Sequence, residues 1–220
     1  MKQRLGVLVA VGVLVLGAAG AGSAQAAPEA RDCPVAAELF ATNNTAFITD
    51  PDDVRLKDRL RGFDREVRTI IRTDGATPLG STLLDGVFWS GDLQQTTYER
   101  SRKFDVNRVG ADGLHQLADT VRKSYDQEAV LTFRCLPRTA PETDAVEIEA
   151  AGVSAARLRE ALLADPEARE RLGGGSVTLD GRLVLVAPLT ELPLAQCFVT
   201  RLGVDWNSAK VRYGDEEFVS

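Results

Sequence analysis

Two kinds of apolar spacing alternate along the chain and limit its fold more than any single motif does. Alternating or continuous apolar runs, which are typical of strands, cover residues 35–43, 81–90, 98–109 and 129–135. Apolar residues spaced by three and four, which are typical of amphipathic helices, follow Asp50 and Asp112. The resulting order, strand-helix-strand-strand-helix-strand, is the split βαβ arrangement of ferredoxin-like domains.

The second half of the chain repeats this order with shorter elements. Val146 and Ile148 alternate with Glu147 and Glu149, a pattern that predicts a strand with one apolar and one solvated face. The elements after this strand are a helix from Ser154, a hairpin around Asp180-Gly181, a helix from Pro193 and a strand over 210–213. We therefore predict an α+β fold of two tandem ferredoxin-like (βαββαβ) units, each an antiparallel sheet covered by helices on one face.

A polar segment divides the two predicted units. Residues 137–144 hold two prolines and two threonines and show no apolar periodicity, which is typical of a linker. The predicted organisation is a signal peptide over residues 1–26, a first ferredoxin-like domain over 27–136, a linker over 137–144 and a second domain over 145–220.

The N-terminus has the pattern of a secretory signal. Met1 to Arg4 form a short basic region, residues 5–15 are apolar, and Ala24-Gln25-Ala26 has the small-x-small pattern that precedes cleavage. The apolar stretch is shorter than the roughly 20 residues that span a membrane. We expect export by the general secretory pathway, cleavage before Ala27, and an extracytoplasmic protein with no membrane span after cleavage.

The charge of the mature chain argues against one class of partner. Removing Lys2 and Arg4 from 26 basic residues leaves 24 against 32 acidic ones, a net charge of −8. A surface this acidic repels phosphate backbones, and no basic patch compensates for it. The sequence therefore predicts no nucleic-acid partner, and the oligomeric state stays open.

Three cysteines in an exported chain predict one disulfide bond and one free thiol. In a split βαβ sheet the first and fourth strands are antiparallel neighbours. Cys33 precedes the first strand and Cys135 ends the fourth, so we predict that these two are bonded. Cys197 is left as a free thiol, and its position beside Leu194 and Phe198 favours burial among apolar side chains.

No motif in the chain specifies a catalytic centre. His115 is the sole histidine, and no Gly-x-Ser-x-Gly segment supplies a serine nucleophile to accompany it. No Cys-x-x-Cys pair or His-Glu-x-x-His helix predicts a zinc site. The sequence therefore predicts no catalytic residue, no metal ligand and no cofactor.

One cluster could form a contact surface. Trp89, Tyr98, Arg100 and Arg102 flank the polar loop between the second and third strands, and aromatic and arginine side chains are enriched at interfaces. Core packing of Trp89 and a solvated strand face for the arginines is the default interpretation, and a contact surface is the alternative to it.

The order of elements is similar to that of many small exported proteins and of the dimeric α+β barrel monooxygenases. Our leading hypothesis is a non-enzymatic exported protein that binds a partner protein, a cell-envelope component or a small ligand through one sheet face or the Gly91 to Thr97 region. One alternative is a small secreted enzyme, a cofactor-free oxygenase or hydrolase that uses a pocket between sheet and helices, with His115 or Trp89. Another is an inhibitor or folding assistant of a secreted enzyme.

Overall fold

The structure is a computed structural model and describes residues 33–220; the predicted signal peptide and its cleavage site lie outside the described residues. Within this range the eight strands are β1 (Ala37–Ala41), β2 (Thr77–Ser90), β3 (Gln95–Asn107), β4 (Val130–Cys135), β5 (Ala145–Ala151), β6 (Gly174–Thr178), β7 (Arg182–Pro188) and β8 (Lys210–Val219). The five α-helices are α1 (Arg61–Thr73), α2 (Ala111–Ser124), α3 (Ala155–Ala164), α4 (Pro166–Arg171) and α5 (Leu192–Arg201). No helix of residues 33–220 is both long and apolar enough to cross a membrane.

All eight strands belong to one closed antiparallel barrel. Their order around the barrel is β1-β3-β2-β6-β7-β5-β8-β4, and β4 pairs back with β1. The predicted fold class, two tandem ferredoxin-like units with separate sheets, is therefore wrong.

The correction has a physical reason in the sheet edges. Two separate sheets would each leave two strands with unpaired backbone groups, which is unfavourable and invites aggregation. Here β2 pairs with β6 from Leu84 to Gly86, and β4 pairs with β8 from Val130 to Cys135. These two seams join the halves of the chain edge to edge and remove every free edge. The division into domains 27–136 and 145–220 with a linker at 137–144 stays a prediction.

Closure gives each strand two buried faces. The outward side chains pack under the helices in two clusters, one under α1 and α2 and the other under α3, α4 and α5. The largest fully buried members of these clusters are Leu39, Ile48, Ile71, Phe104, Leu117, Ile148, Leu158, Leu183, Phe198 and Leu202. The inward side chains face a separate space that contains most of the buried charge.

Helix α1 starts later than the sequence predicts. The sequence predicts a helix that opens at Asp50, but Asp53 caps a short 3-10 helix at Val54–Lys57 instead. Asp58 Oδ1 then accepts a hydrogen bond from the Leu60 amide at 2.9 Å, and such a local side-chain bond competes with helical backbone bonding. The α-helix therefore begins only at Arg61.

The predicted disulfide bond is confirmed. Cys33 and Cys135 are bonded, with their Cα atoms 5.8 Å apart. The pairing of β1 with β4 brings the two cysteines together, since Ala37 lies opposite Arg134. The bond therefore fixes the chain just before β1 to the end of β4.

Removing this bond should destabilise the protein substantially. A double substitution, Cys33→Ser with Cys135→Ser, releases a closed loop with a sequence separation of 102 residues. Loops of that size are worth about 2–5 kcal/mol of unfolding free energy, which urea denaturation can measure. Cys197→Ser is the matched control and should change stability by less than about 0.5 kcal/mol. Equal stability of the double variant and the control would contradict the prediction.

Candidate functional site

Polar side chains line a cavity of about 340 Å³ at one end of the barrel interior. This charged end lies where β1, β7 and β8 begin and where β3, β5 and β6 finish. Its charged lining residues are Glu38, Lys103, Asp105, Glu149, Arg182, Lys210 and Arg212. A volume of this size lies at the lower end of the range for small-molecule sites, about 300–1,000 Å³.

Lys103 is the centre of the charge network. Its Nζ lies 2.6 Å from Glu38 Oε1 and 3.4 Å from Asp105 Oδ1. It is also 3.6 Å from Glu149 Oε1 and 3.8 Å from Glu147 Oε1. The ammonium group is buried, and an unpaired buried cation would be strongly unfavourable, so these carboxylates stabilise it.

Arg212 is the second buried cation. Its guanidinium donates to Glu38 Oε1 at 2.5 Å and also to Glu147 Oε2. The guanidinium carbon lies 5.9 Å from the centre of the Phe133 ring, which forms part of the barrel interior. Arg212 thereby links β8 to β1 and β5 across the interior.

Several carboxylate oxygens of the network have no hydrogen-bond partner. Glu38 Oε2, Asp105 Oδ1 and Glu147 Oε1 are all buried and accept no hydrogen bond from the described residues. Glu38 and Glu147 are 1% and 0% exposed. Four carboxylates thus surround two buried cations, and the inner network has an excess of acceptors and of negative charge.

The remaining cations of this end lie at its opening. Arg182 is exposed and pairs with Asp180 Oδ2 at 3.2 Å, while its nearest Glu149 oxygen is 3.9 Å away. Lys210 is also exposed, and it forms no ion pair within residues 33–220. Charge therefore changes sign along the cavity, from carboxylates inside to cations at the rim.

The opposite end of the interior is mostly apolar. A cavity of about 130 Å³ is lined there by Phe40, Leu84, Gly86, Phe88, Glu99, Ser101, Leu131, Gly174, Gly175, Ser176, Val184 and Val186. Glu99 is the single ionisable side chain among them. Burial raises the pKa of Glu99 to about 7, because the apolar surroundings disfavour the ionised carboxylate.

A third cavity lies outside the barrel, between the sheet and helices α3, α4 and α5. It measures about 250 Å³, and Trp89 and Arg169 are among its lining residues. The Arg169 guanidinium carbon lies 4.1 Å from the centre of the Trp89 ring, a cation–π contact. Arg169 also donates to the carbonyl groups of Leu162 and Leu163.

The structure does not bring Trp89, Tyr98, Arg100 and Arg102 together on one open surface. Tyr98 is buried, and its amide donates to the Ile48 carbonyl at 2.8 Å. Arg100 donates to the Leu56 carbonyl and lies 3.3 Å from Asp85. Both side chains lie under the segment that leads into α1.

Arg102 lies two residues after Arg100 on β3 and has a comparable position. It donates to Ser81 Oγ at 2.5 Å and to the Arg59 carbonyl at 3.1 Å. These bonds tie the segment before α1 to the sheet. The contacts of the two arginines are thus internal, whereas the sequence analysis considered a partner surface or a solvated face for them.

Cys197 and His115 both lie on the outer surface of the helices. Cys197 is a free thiol but is exposed, so the expected burial is wrong. Phe198, one residue later on α5, faces the barrel, and a step of one residue turns the side chain about 100° around a helix. His115 Nδ1 lies 2.8 Å from Glu217 Oε1, with both side chains half exposed.

Comparisons with known proteins give no relative. No protein-family model matches the sequence, no curated protein matches it, and no solved structure matches its fold. Within residues 33–220, no group of three or more histidine, cysteine, aspartate or glutamate residues is arranged to hold a metal ion.

The sequence analysis missed the residues of both interior cavities. Glu147 and Glu149 were assigned to a solvated strand face, whereas that face points into the barrel. Glu38 and Lys103 received no role, because one charged residue in an alternating strand gives no sign of its partner on another strand. A closed barrel buries both faces of a strand and would predict that Glu147 and Glu149 lie inside it. The predicted open sheets leave one face in solvent, so they do not predict buried carboxylates.

Removing Arg212 should destabilise the protein far more than removing an exposed cation. Arg212→Met removes the guanidinium that donates to Glu147 Oε2 and Glu38 Oε1, and both carboxylates stay buried. Loss of one partner of a buried ion pair costs about 3–5 kcal/mol of unfolding free energy. Lys123→Met, which breaks a surface pair with Asp119, should cost less than about 1 kcal/mol. Urea denaturation of both variants measures the difference. Similar losses of unfolding free energy for the two variants would contradict the prediction and show that the interior charges are well solvated.

Stability should also depend on pH through Glu99. Its raised pKa means that the folded state holds this proton more tightly than the unfolded chain, whose value is near 4.5. The resulting stabilisation is complete below pH 4.5 and is lost as the pH rises through about 7.

Glu99→Gln cannot ionise, so between pH 5 and pH 8 its stability relative to wild type should rise by about 1–3 kcal/mol. The measurement is urea denaturation across this range. Glu128→Gln removes an exposed carboxylate at the same end of the barrel and is the matched control. A pH-independent difference for Glu99→Gln would refute the assignment.

Proposed function

We propose that the protein binds a small zwitterionic ligand of amino-acid size in the charged end of the barrel. The observation that carries the proposal is the Glu38 carboxylate, which lines the 340 Å³ cavity and is 1% exposed. Its Oε2 atom accepts no hydrogen bond from the described residues. Buried acceptors are almost always paired, so an unpaired one beside a cavity favours a ligand with hydrogen-bond donors.

The charge of the inner network favours an ammonium group as that donor. Four carboxylates lie around Lys103 and Arg212, and Asp105 Oδ1, 3.4 Å from Lys103 Nζ, is a further buried oxygen that accepts no hydrogen bond from the described residues. A ligand ammonium has three N–H donors and one positive charge. It would satisfy acceptors and reduce the excess negative charge at once.

The rim of the cavity favours a negative group at the other end of the ligand. Lys210 and Arg182 are the exposed cations of the cavity lining, and arginine and lysine are the usual partners of carboxylates. An ammonium group placed inward and a carboxylate placed outward would match the change of sign along the cavity. This is the small-ligand form of the binding function that the sequence analysis predicts.

Isothermal titration calorimetry against a panel of common L-amino acids at pH 7 tests the proposal. At least one should bind with a Kd below about 1 mM. For the tightest ligand, the N-acetyl derivative and the decarboxylated amine each lose one charged group. Each should bind about tenfold or more weakly, since a charged hydrogen bond contributes about 1.5–3 kcal/mol. Absence of binding by the whole panel, or equal binding of the N-acetyl derivative, would overturn the proposal.

Two lysine variants test whether the ligand binds at the charged end of the barrel. Lys210→Ala should weaken the zwitterion about tenfold and leave the decarboxylated amine unaffected, because Lys210 is assigned to the carboxylate. Lys123→Ala, a lysine on the outer face of α2, is the matched control and should change neither. Mass spectrometry of the ligand after incubation distinguishes binding from turnover, and a ligand recovered unchanged is expected.

A further inference from the structure

The apolar end of the barrel differs from the charged end in shape and chemistry. Its inner cavity exists because small residues face the interior: a Cβ atom added at Gly174 would lie 3.4 Å from Leu131 Cδ2. Gly86 lies opposite Glu99 in the β2–β3 pairing, and a Cβ there would contact Glu99 and Ser176. Larger side chains at these positions would fill the cavity.

The inner cavity continues outward into a wider depression. Phe88 and Glu99 line both the 130 Å³ cavity and an outer space of about 450 Å³. Phe47 also lines the outer space and is 54% exposed, and Phe88 is 36% exposed. An apolar group could therefore reach the interior from this side past Glu99.

From this geometry we propose a second binding site, for an apolar monoamine whose ring or short alkyl group fills the inner cavity while its ammonium group pairs with Glu99. The cavity volume is comparable with the roughly 150 Å³ cavity of apolar side chains that accepts benzene in another protein. The Glu99 side chain forms no hydrogen bond and no ion pair with the rest of residues 33–220. It is thus available as the one charged partner in an apolar cavity.

The other charged groups near Glu99 are few and well defined. The lining contributed by β1, β2, β4, β6 and β7 to the inner cavity is uncharged over the described chain. Asp126 and Glu128 line the outer depression with Glu99. These two groups are negative and would attract any cation, so the test must separate a specific pair with Glu99 from general attraction.

Benzylamine is a suitable probe, with benzyl alcohol as its neutral counterpart of the same shape. Titration by calorimetry or protein-observed NMR at pH 8 should give a Kd of about 1 mM or lower for benzylamine. Benzyl alcohol should bind at least tenfold more weakly. Because only ionised Glu99 pairs with the amine, benzylamine affinity should rise about tenfold from pH 6 to pH 8.

Two carboxamide variants complete the experiment. Glu99→Gln should reduce benzylamine affinity about tenfold or more at pH 8 and remove its pH dependence, while benzyl alcohol binding stays unchanged. Glu128→Gln removes the same charge from the outer depression and should reduce affinity less than twofold. No benzylamine binding, equal binding of the alcohol, an unchanged affinity from pH 6 to pH 8, or equal effects of the two variants would each overturn the proposal. The amino-acid panel probes the charged end separately.

Discussion

Edge-to-edge pairing of the two halves determines most other properties of this structure. Without the β2–β6 and β4–β8 seams, the inward face of each sheet would be open to water. With the seams, that face becomes an enclosed interior, and the helices cover the outer face. Every strand then has two buried faces, so charged residues such as Glu147 are buried although they alternate with apolar residues in the sequence.

The enclosed interior makes its charges dependent on one another. Glu38, Lys103 and Arg212 come from three different strands, and removing any one of them would leave a buried charge without one of its partners. Buried ion pairs of this kind are weak contributors to net stability, since desolvation offsets most of their attraction. Net stability alone therefore does not account for these interior charges, which is why the proposed function assigns them to ligand binding.

The sequence predicts the local elements of this fold better than their assembly. Strands and helices follow from apolar spacing, and the disulfide bond follows from the neighbourhood of the first and fourth strands. The seams cannot be predicted in this way. The pairing of Leu84 with Thr178 depends on which two sheet edges come together, and the alternation of residues within one strand does not specify its partner strand. The interior site was missed for the same reason, since Glu38, Glu147 and Arg212 become neighbours only after closure.

The two ends of the interior differ because the inward residues are distributed unevenly along the strands. On β3, Lys103 and Asp105 face the charged end while Glu99 faces the apolar end. On β7, Arg182 lies at the charged end, Val186 lies at the apolar end, and Val184 borders both cavities. Val184 and its neighbours thus separate a space lined by both carboxylates and cations from one to which the described residues contribute a single carboxyl group and no cation. The number of nearby cations therefore distinguishes the two ends, because the Glu38 carboxylate lies beside Lys103 and Arg212, whereas no cation from residues 33–220 lines the inner cavity of Glu99.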